Sequence, residues 1–453
     1  MKIIIAGGGK VGATLTRQLS SEGYDITIID SKSNVVDDAL NRYDVMAVQG
    51  NCAAASVLMK ADVQRADLLI AATSEDEVNL LCCLTAHHLN PAIHTIARIR
   101  NPEYSRQIYD MSDVFALSLT VNPEKQSAKE IERLLRFPGF LRRDTFANGR
   151  VEIVELRVNE KSVLCGSRLN NLQQLTGCSV LVCAVLRNGQ AIMPDGDFVI
   201  QNNDRLFVTA PTSNLSVLLK NLGIITRKVK KVMICGGSRI SYYLAQRISQ
   251  SGIKVTIIDK DPDKCLYLAQ NLPKADIVCG DATDQSFLEN EGLADCDALV
   301  SMTSIDEMNI IISLFGNMNN VPQVITKLDH MENSRVMSSL PLGSIINPRE
   351  LCSNIIVRYV RALKNQAGAA LAVHSIADGL AEAEEFRIDE SAKYCNVPLK
   401  DLRLKKNVLI VCINHGGQLI IPNGNSCFEQ GDTVIVVTGR RNMVMQFNDI
   451  FEV

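Results

Sequence analysis

The 453-residue sequence has no uninterrupted apolar stretch approaching the ~18 residues that a membrane-spanning helix needs. Ahead of Gly7 stand Met1, Lys2 and the short apolar run Ile3 to Ala6, too little for the core of a signal peptide. The chain is expected neither to cross a membrane nor to leave the cell by a classical signal. Charge of one sign is also lacking: the net charge is −3, and no run of Lys and Arg makes a local basic patch. Nucleic acid is therefore excluded as a partner, and so is general attraction to anionic lipid. There are 14 cysteines, yet no Cys-x-x-Cys pair and no Cys/His cluster at zinc-ligand spacing, and Cys82 and Cys83 are adjacent. They read as small buried apolar residues in a reducing cytosol. What is present is ordinary for a soluble globular protein, 46% hydrophobic and 21% charged residues, with length for roughly three to four domains.

The chain repeats itself. Lys2-Ile3-Ile4-Ile5-Ala6-Gly7-Gly8-Gly9-Lys10-Val11-Gly12 returns as Lys231-Val232-Met233-Ile234-Cys235-Gly236-Gly237-Ser238-Arg239-Ile240-Ser241, an offset of 236 − 7 = 229. Asp30 matches Asp259, Gly50 matches Gly280, and Thr73 to Asn79 matches Thr303 to Asn309. The first part of each repeat alternates short apolar runs with helical patterns, which predicts βαβ units on a parallel sheet. Ile3 to Ala6, Asp25 to Ile29, Val45 to Val48, Leu68 to Ala72 and Thr95 to Ile99 are the expected strands. Val11, Leu15 and Leu19 give the intervening helix one apolar face. Helical patterns at Ala128 to Phe137 and Leu351 to Leu363 follow Asn122-Pro123 and Asn347-Pro348, and read as hinge or crossover helices. The strand-and-turn segments beyond them also match, Ile192 to Gly196 with Ile420 to Gly424. The order is A-B-A′-B′, with 224–231 as the linker: an α/β fold class with two Rossmann-like doubly wound parallel sheets, each followed by a small α+β domain.

Gly7-x-Gly9-x-x-Gly12 ends a strand, opens a helix and is followed by an acid closing the next strand, the context that marks a dinucleotide loop. Gly7 allows the tight turn, Gly9 lets a pyrophosphate approach the backbone, and Gly12 lets the helix press on the strand. The N–H groups of Lys10 and Val11 then face the phosphate, with Gly8 in the same loop. Asp30, 30 − 12 = 18 residues on, can accept from both ribose hydroxyls and would repel a 2′-phosphate, so NAD is favoured over NADP. Asn51, Thr73, Ser74 and Arg98 follow successive strands on the carboxyl edge, where such sheets bind ligands. Each could equally be an ordinary polar loop residue. Glu75, Asp76 and Glu77 read as a cation site or, alternatively, as acids at a helix N-terminus. In the second loop Ser238 and Ser241 replace two glycines, while Gly236, Gly237, Arg239, Ile240 and Asp259 stay in place. That copy is either a second nucleotide site or a structural relic.

Hydride transfer needs an acid or base and a group that orients substrate. None of the six histidines (His87, His88, His94, His330, His374 and His415) recurs at its repeat-equivalent position, and His415 reads as a solvated turn residue. An NAD-dependent oxidoreductase is the alternative reading, and a scaffold that binds nothing is a third.

The loop, Asp30, Ala72 to Asn79, Ala97-Arg98-Ile99-Arg100 and Asn122-Pro123-Glu124, in the order A-B-A′-B′, resemble the regulatory subunits of bacterial Trk-type potassium-uptake systems, and the likeness covers essentially the whole chain. It implies tandem RCK (regulator of potassium conductance) modules: N-terminal RCK domains at 1–123 and 232–348 and C-terminal RCK domains at 143–227 and 368–453. It implies no enzyme activity. It implies a tetrameric gating ring, cytoplasmic and peripheral at the inner face of the membrane, that responds to NAD(H) and to ATP or ADP and acts on a membrane-embedded potassium transporter subunit. Gly7 to Val11, Asp30, Thr73, Ser74 and Arg98 would contact the dinucleotide. Gly236 to Ile240, Asp259 and Lys327 (98 + 229) are their counterparts.

Overall fold

A computed structural model describes all residues except 112, 137–139, 147–149, 161, 223–227, 330–339, 365–369, 440–443, 445 and 453. Phe137, His330 and the first part of the expected 224–231 linker therefore lie outside the described residues. The chain divides into two compact units, Met1–Ala128 with Asn347–Val360, and Lys129–Ile346 with Arg361–Val453.

In the first unit the strands Lys2–Ala6 (β1), Asp25–Asp30 (β2), Met46–Gln49 (β3), Leu68–Ala71 (β4), His94–Arg98 (β5) and Leu119–Val121 (β6) form one sheet in the order β3-β2-β1-β4-β5-β6. Every pairing is parallel, and the order is that of a Rossmann fold. Ile3, Ile4, Ile5, Leu68, Leu69 and Ile70 are completely buried. A parallel sheet covered by helices on both faces needs such continuous apolar runs, and β-branched residues suit the pleat. Leu15 and Leu19 of helix Lys10–Ser21 are buried as its spacing predicts.

Two helices begin earlier than their apolar periodicity alone indicates. The first is Pro123–Arg136, five residues ahead of Ala128, and the second is Pro348–Lys364, three ahead of Leu351. Proline at the first helical position needs no hydrogen-bond partner for its missing N–H, and the preceding Asn caps the turn. Asn122 Oδ1 accepts from the Lys125 N–H at 2.8 Å, and Asn347 Oδ1 accepts from the Arg349 N–H at 3.0 Å. Within the first unit, Cys352 of the Pro348–Lys364 helix is buried, and the Tyr359 hydroxyl stands 3.4 Å from His94 Nδ1.

The second unit holds the other parallel sheet. Its strands are Lys231–Cys235 (β12), Lys254–Asp259 (β13), Ala275–Cys279 (β14), Ala298–Ser301 (β15), Gln323–Lys327 (β16) and Ser344–Ile346 (β17), in the same order β14-β13-β12-β15-β16-β17. The end of the Pro123–Arg136 helix packs here: Arg247 Nε donates to Glu132 Oε2 at 2.5 Å, and Gln323 Nε2 donates to the Leu134 carbonyl at 2.9 Å.

Two antiparallel sheets complete this unit. Arg142–Phe146 (β7), Val151–Arg157 (β8), Leu181–Arg187 (β9), Gln190–Ile192 (β10) and Arg205–Pro211 (β11) take the order β10-β9-β11-β8-β7. Ala370–Ile376 (β18), Ala381–Arg387 (β19), Val408–His415 (β20), Gln418–Ile420 (β21) and Thr433–Gly439 (β22) take the order β18-β19-β22-β20-β21. Phe146, Ile153, Cys183 and Phe207 of one sheet share a core with Ala383, Val411, Cys412 and Ile435 of the other. Each sheet thus buries one apolar face against the other, while its opposite face packs a core of its own.

Candidate functional site

The three glycines of the first loop meet three different surroundings. Gly7 has φ +99°, and a Cβ there would lie 2.9 Å from the Ala72 carbonyl carbon and the Thr73 nitrogen. A Cβ on Gly12 would lie 1.9 Å from the Gly7 carbonyl oxygen, so the helix approaches the loop this closely only because residue 12 lacks a side chain. A Cβ on Gly9 would meet nothing within 4 Å. Gly9 is the N-cap of helix Lys10–Ser21 and supplies no side-chain cap. The helix start is thus open on the side where the dipole is positive, which suits an anionic group.

Asp30 closes this cradle. Its Oδ2 accepts from the Gly8 N–H at 2.8 Å, and its Oδ1 accepts from the Lys32 N–H at 2.9 Å. Each carboxylate oxygen keeps a second lone pair, so the group is oriented by the backbone while still able to accept from hydroxyls. Asn51 Oδ1 accepts from the Ala53 N–H at 3.0 Å, turning the chain after β3. Ser74 is exposed beyond β4.

Thr73 and Arg98 are held through a residue not among the predicted contacts. Asn79 is completely buried; its Oδ1 accepts from the Thr73 N–H at 2.9 Å and from the Thr73 hydroxyl at 2.7 Å, and its Nδ2 donates to the Arg98 carbonyl at 2.8 Å. Asn79 ties the ends of β4 and β5 together. The return of Thr73…Asn79 as Thr303…Asn309 was its signal in the sequence. Arg98 Nη1 donates to the Thr73 carbonyl at 3.3 Å, while its buried Nε has no hydrogen-bond partner. Burial, and then the neighbouring Arg100, hold the Arg98 pKa below its usual value. Among the described residues no carboxylate forms an ion pair with Arg98, which leaves its charge available to an anion.

Glu75 to Glu77 open the helix Asp76–Leu89. Asp76 Oδ2 accepts from the Arg100 N–H at 2.8 Å and the Asn101 N–H at 2.7 Å, and Glu77 Oε1 accepts from the Tyr104 hydroxyl at 2.6 Å. These acids serve a helix N-terminus and its neighbours. Among the described residues no group of three or more His, Cys, Asp or Glu is placed to hold a metal ion.

The second loop has the same frame and a different filling. Gly236 has φ +110°, Asp259 Oδ2 accepts from the Gly237 N–H at 2.5 Å, and Thr303, Asn309 and the Lys327 carbonyl repeat the strand-end network. Ser238, however, caps the helix Arg239–Gln250: its Oγ accepts from the Ser241 N–H at 3.3 Å, and its own N–H donates to Ser241 Oγ at 3.2 Å. The Ser241 hydroxyl in turn donates to the Gly236 carbonyl. Where the first loop has no side-chain cap, the second bonds its Ser238 and Ser241 N–H groups to side chains of its own. Lys327, in the place of Arg98, forms an ion pair with Asp329 at 3.3 Å.

The small sheets pair two histidines with buried acids. His374 is buried, with Nδ1 3.1 Å from Asp144 Oδ1 and its ring 4.6 Å from that of Phe146. Burial would raise the Asp144 pKa, but Arg142 and His374 reverse the effect and bring it down to about 2. His415 is not merely solvated: it ends β20, and its Nδ1 lies 2.8 Å from Asp432 Oδ1.

Models of known families match both halves. The TrkA-N domain matches 3–116 and 232–348, and the TrkA-C domain matches 153–223 and 383–451. The Trk system potassium uptake protein TrkA of Haemophilus influenzae is 28% identical over 459 residues, covering 100% of this chain and 99% of that one. The homologue of Archaeoglobus fulgidus is 31% identical over 437 residues, 96% of this chain and 97% of its own. Among solved structures, the GsuK channel bound to NAD covers 97% of this chain and 77% of that one, at 18% identity and a TM-score of 0.59. The GsuK RCK domain covers 97% and 92%, at 17% identity and a TM-score of 0.61, which shows a shared fold. These relatives are named for potassium uptake and for channels, not for an enzyme. With both TrkA domain types matched twice along its length, the chain belongs to the TrkA family of Trk-system potassium-uptake proteins.

Proposed function

We propose that this chain is the cytoplasmic, nucleotide-responsive gating subunit of a potassium transporter, and that NAD(H) binds in the first Rossmann cleft. The observation that carries this is the uncapped helix start at Gly9, faced by the Asp30 carboxylate and flanked by Arg98 with its orphan Nε. The pyrophosphate takes the N–H groups after Gly9, the adenosine ribose donates both hydroxyls to Asp30, and Thr73, Ser74, Asn51 and Arg98 line the carboxyl edge. ATP or ADP would use the same phosphate cradle. The NAD named for the GsuK channel supports the ligand class. The second cleft binds nucleotide weakly or not at all, because the Ser238 and Ser241 side chains fill the helix start and bond the N–H groups of residues 238 and 241.

Ligand binding controls the transporter by favouring one arrangement of a homotetrameric ring over another. A tenfold preference shifts that equilibrium by about 1.4 kcal/mol per site, and four subunits multiply it. Among the described residues no helix is long and apolar enough to cross a membrane, so the membrane-embedded part is assigned to a partner subunit. The site is tested by calorimetry with NADH on Asp30→Ala. Loss of two hydroxyl acceptors should weaken binding at least about tenfold, and unchanged affinity would place the dinucleotide elsewhere.

A further inference from the structure

Two cysteines at the edge of the second parallel sheet are neighbours that nucleotide binding does not use. Cys265 lies on the helix Pro262–Asn271, and Cys279 ends β14, the edge strand of its sheet. Asp259 of β13 stands opposite Cys279 in the parallel register. The Cys265 thiol lies 3.2 Å from the Asp259 carbonyl oxygen and 3.9 Å from that of Val278. Those contacts hold the Cys265 sulfur over the two strand ends, beside Cys279, which follows Val278 and pairs with Asp259. Cys279 is exposed and Cys265 is buried behind it.

The first parallel sheet also has a thiol pair, Cys52 with Cys82, but both of its members are buried. The first-repeat counterparts of Cys265 and Cys279 are Val36 (265 − 229) and Gln49 (279 − 230), neither of which can form a disulfide. A solvent-facing thiol backed by a second thiol thus belongs to the copy whose phosphate loop caps itself.

We propose that Cys279 and Cys265 form a peroxide-sensitive dithiol. The Cys279 thiolate attacks one oxygen of hydrogen peroxide, the O–O bond breaks, and Cys279 becomes a sulfenic acid while the departing hydroxide takes a proton and leaves as water. The Cys265 sulfur then attacks the Cys279 sulfur, the S–O bond breaks, and the leaving hydroxide carries off the Cys265 proton as a second water. The S–S bond that forms has given two electrons to the peroxide. The order follows from access: burial first, and then the Cys279 sulfur, push the Cys265 thiol up to about 11, so it is not the first to react. The disulfide closes a loop of 279 − 265 + 1 = 15 residues, ties the helix to the edge strand, and removes the thiol donor from the Asp259 carbonyl.

Mass mapping of the full chain tests the proposal. Trypsin cuts after Lys264 and Lys274, so the two cysteines fall on different peptides. After hydrogen peroxide, alkylation under denaturing conditions and digestion, the expected product is the Cys265 and Cys279 peptides joined, two hydrogens lighter than their sum. Dithiothreitol separates them, and Cys52 and Cys82 stay alkylated. Cys265→Ala should leave Cys279 as a sulfenic acid that dimedone traps, and Cys279→Ser, at an exposed position, should leave Cys265 reduced. Cys279 passing to sulfinic acid or pairing between two chains while Cys265 stays reduced overturns the proposal, as does prior oxidation of Cys52 and Cys82.

Discussion

Gly9 and Gly12 are the same residue type with opposite constraints, and substitution separates them. Gly9 has an extended backbone, φ −65° and ψ −167°, and open space where a side chain would go. Gly9→Asp should therefore leave the melting temperature unchanged or slightly raised by a new N-cap, while NADH binding in calorimetry falls by more than about tenfold through charge repulsion. Gly12→Ala drives a methyl into the Gly7 carbonyl and should cost about 3 kcal/mol or more in denaturant unfolding. The sequence made both glycines visible by spacing. It also assigned Gly9 to the ligand and Gly12 to packing; what it did not show is how close the Gly12 position lies to the Gly7 carbonyl, a distance set by the fold. Asn79 escaped assignment because its amide completes a network only when the ends of β4 and β5 lie side by side.

Among elements, the helix start at Ser238 shows how a repeat can keep its shape while altering its chemistry. Ser238→Gly with Ser241→Gly removes the internal cap and frees the helix N–H groups. Replacing an N-cap Ser by Gly costs only a few tenths of a kcal/mol, so the fold should hold, and the double variant should show a second NADH-binding event in calorimetry. A single unchanged stoichiometry would mean that Lys327, paired with Asp329, or the cleft itself also excludes ligand. The strands β7 and β18 carry a different test. Asp144, held at about 2 by Arg142 and His374, has its folded-state pKa below the unfolded value of 3.8. Its stabilisation is present above pH ~3.8 and is lost as pH falls through about 2, so Asp144→Asn should destabilise the protein by about 2 kcal/mol at pH 7. In unfolding titrations the gap between wild type and variant should close below pH ~2.

For the whole molecule, the prediction concerns transport. Cells lacking this chain should need more external potassium to grow, and expression of Asp30→Ala should restore growth less well than wild type; equal growth without the chain removes the transport reading. Each crossover helix begins at an Asn-Pro cap after a parallel sheet, and Glu132 near the end of the Pro123–Arg136 helix accepts from Arg247 of the helix Arg239–Gln250.

The sequence by itself determined the repeat, the parallel-sheet strands, the phosphate-loop glycines and the acids at Asp30 and Asp259. All of these depend on local signals: apolar runs, residue spacing and the backbone freedom of glycine. It also carried the Asn-Pro caps, although apolar periodicity alone set the helix starts too late. Only the tertiary structure decided that Ser238 and Ser241 fold inward to cap their own helix, that Asn79 joins two strand ends, that His374 meets Asp144, and that Cys265 lies against Cys279. Each of these is an encounter between side chains whose positions are fixed by the register of strands and the packing of helices, and short-range pattern in a chain does not record such distances.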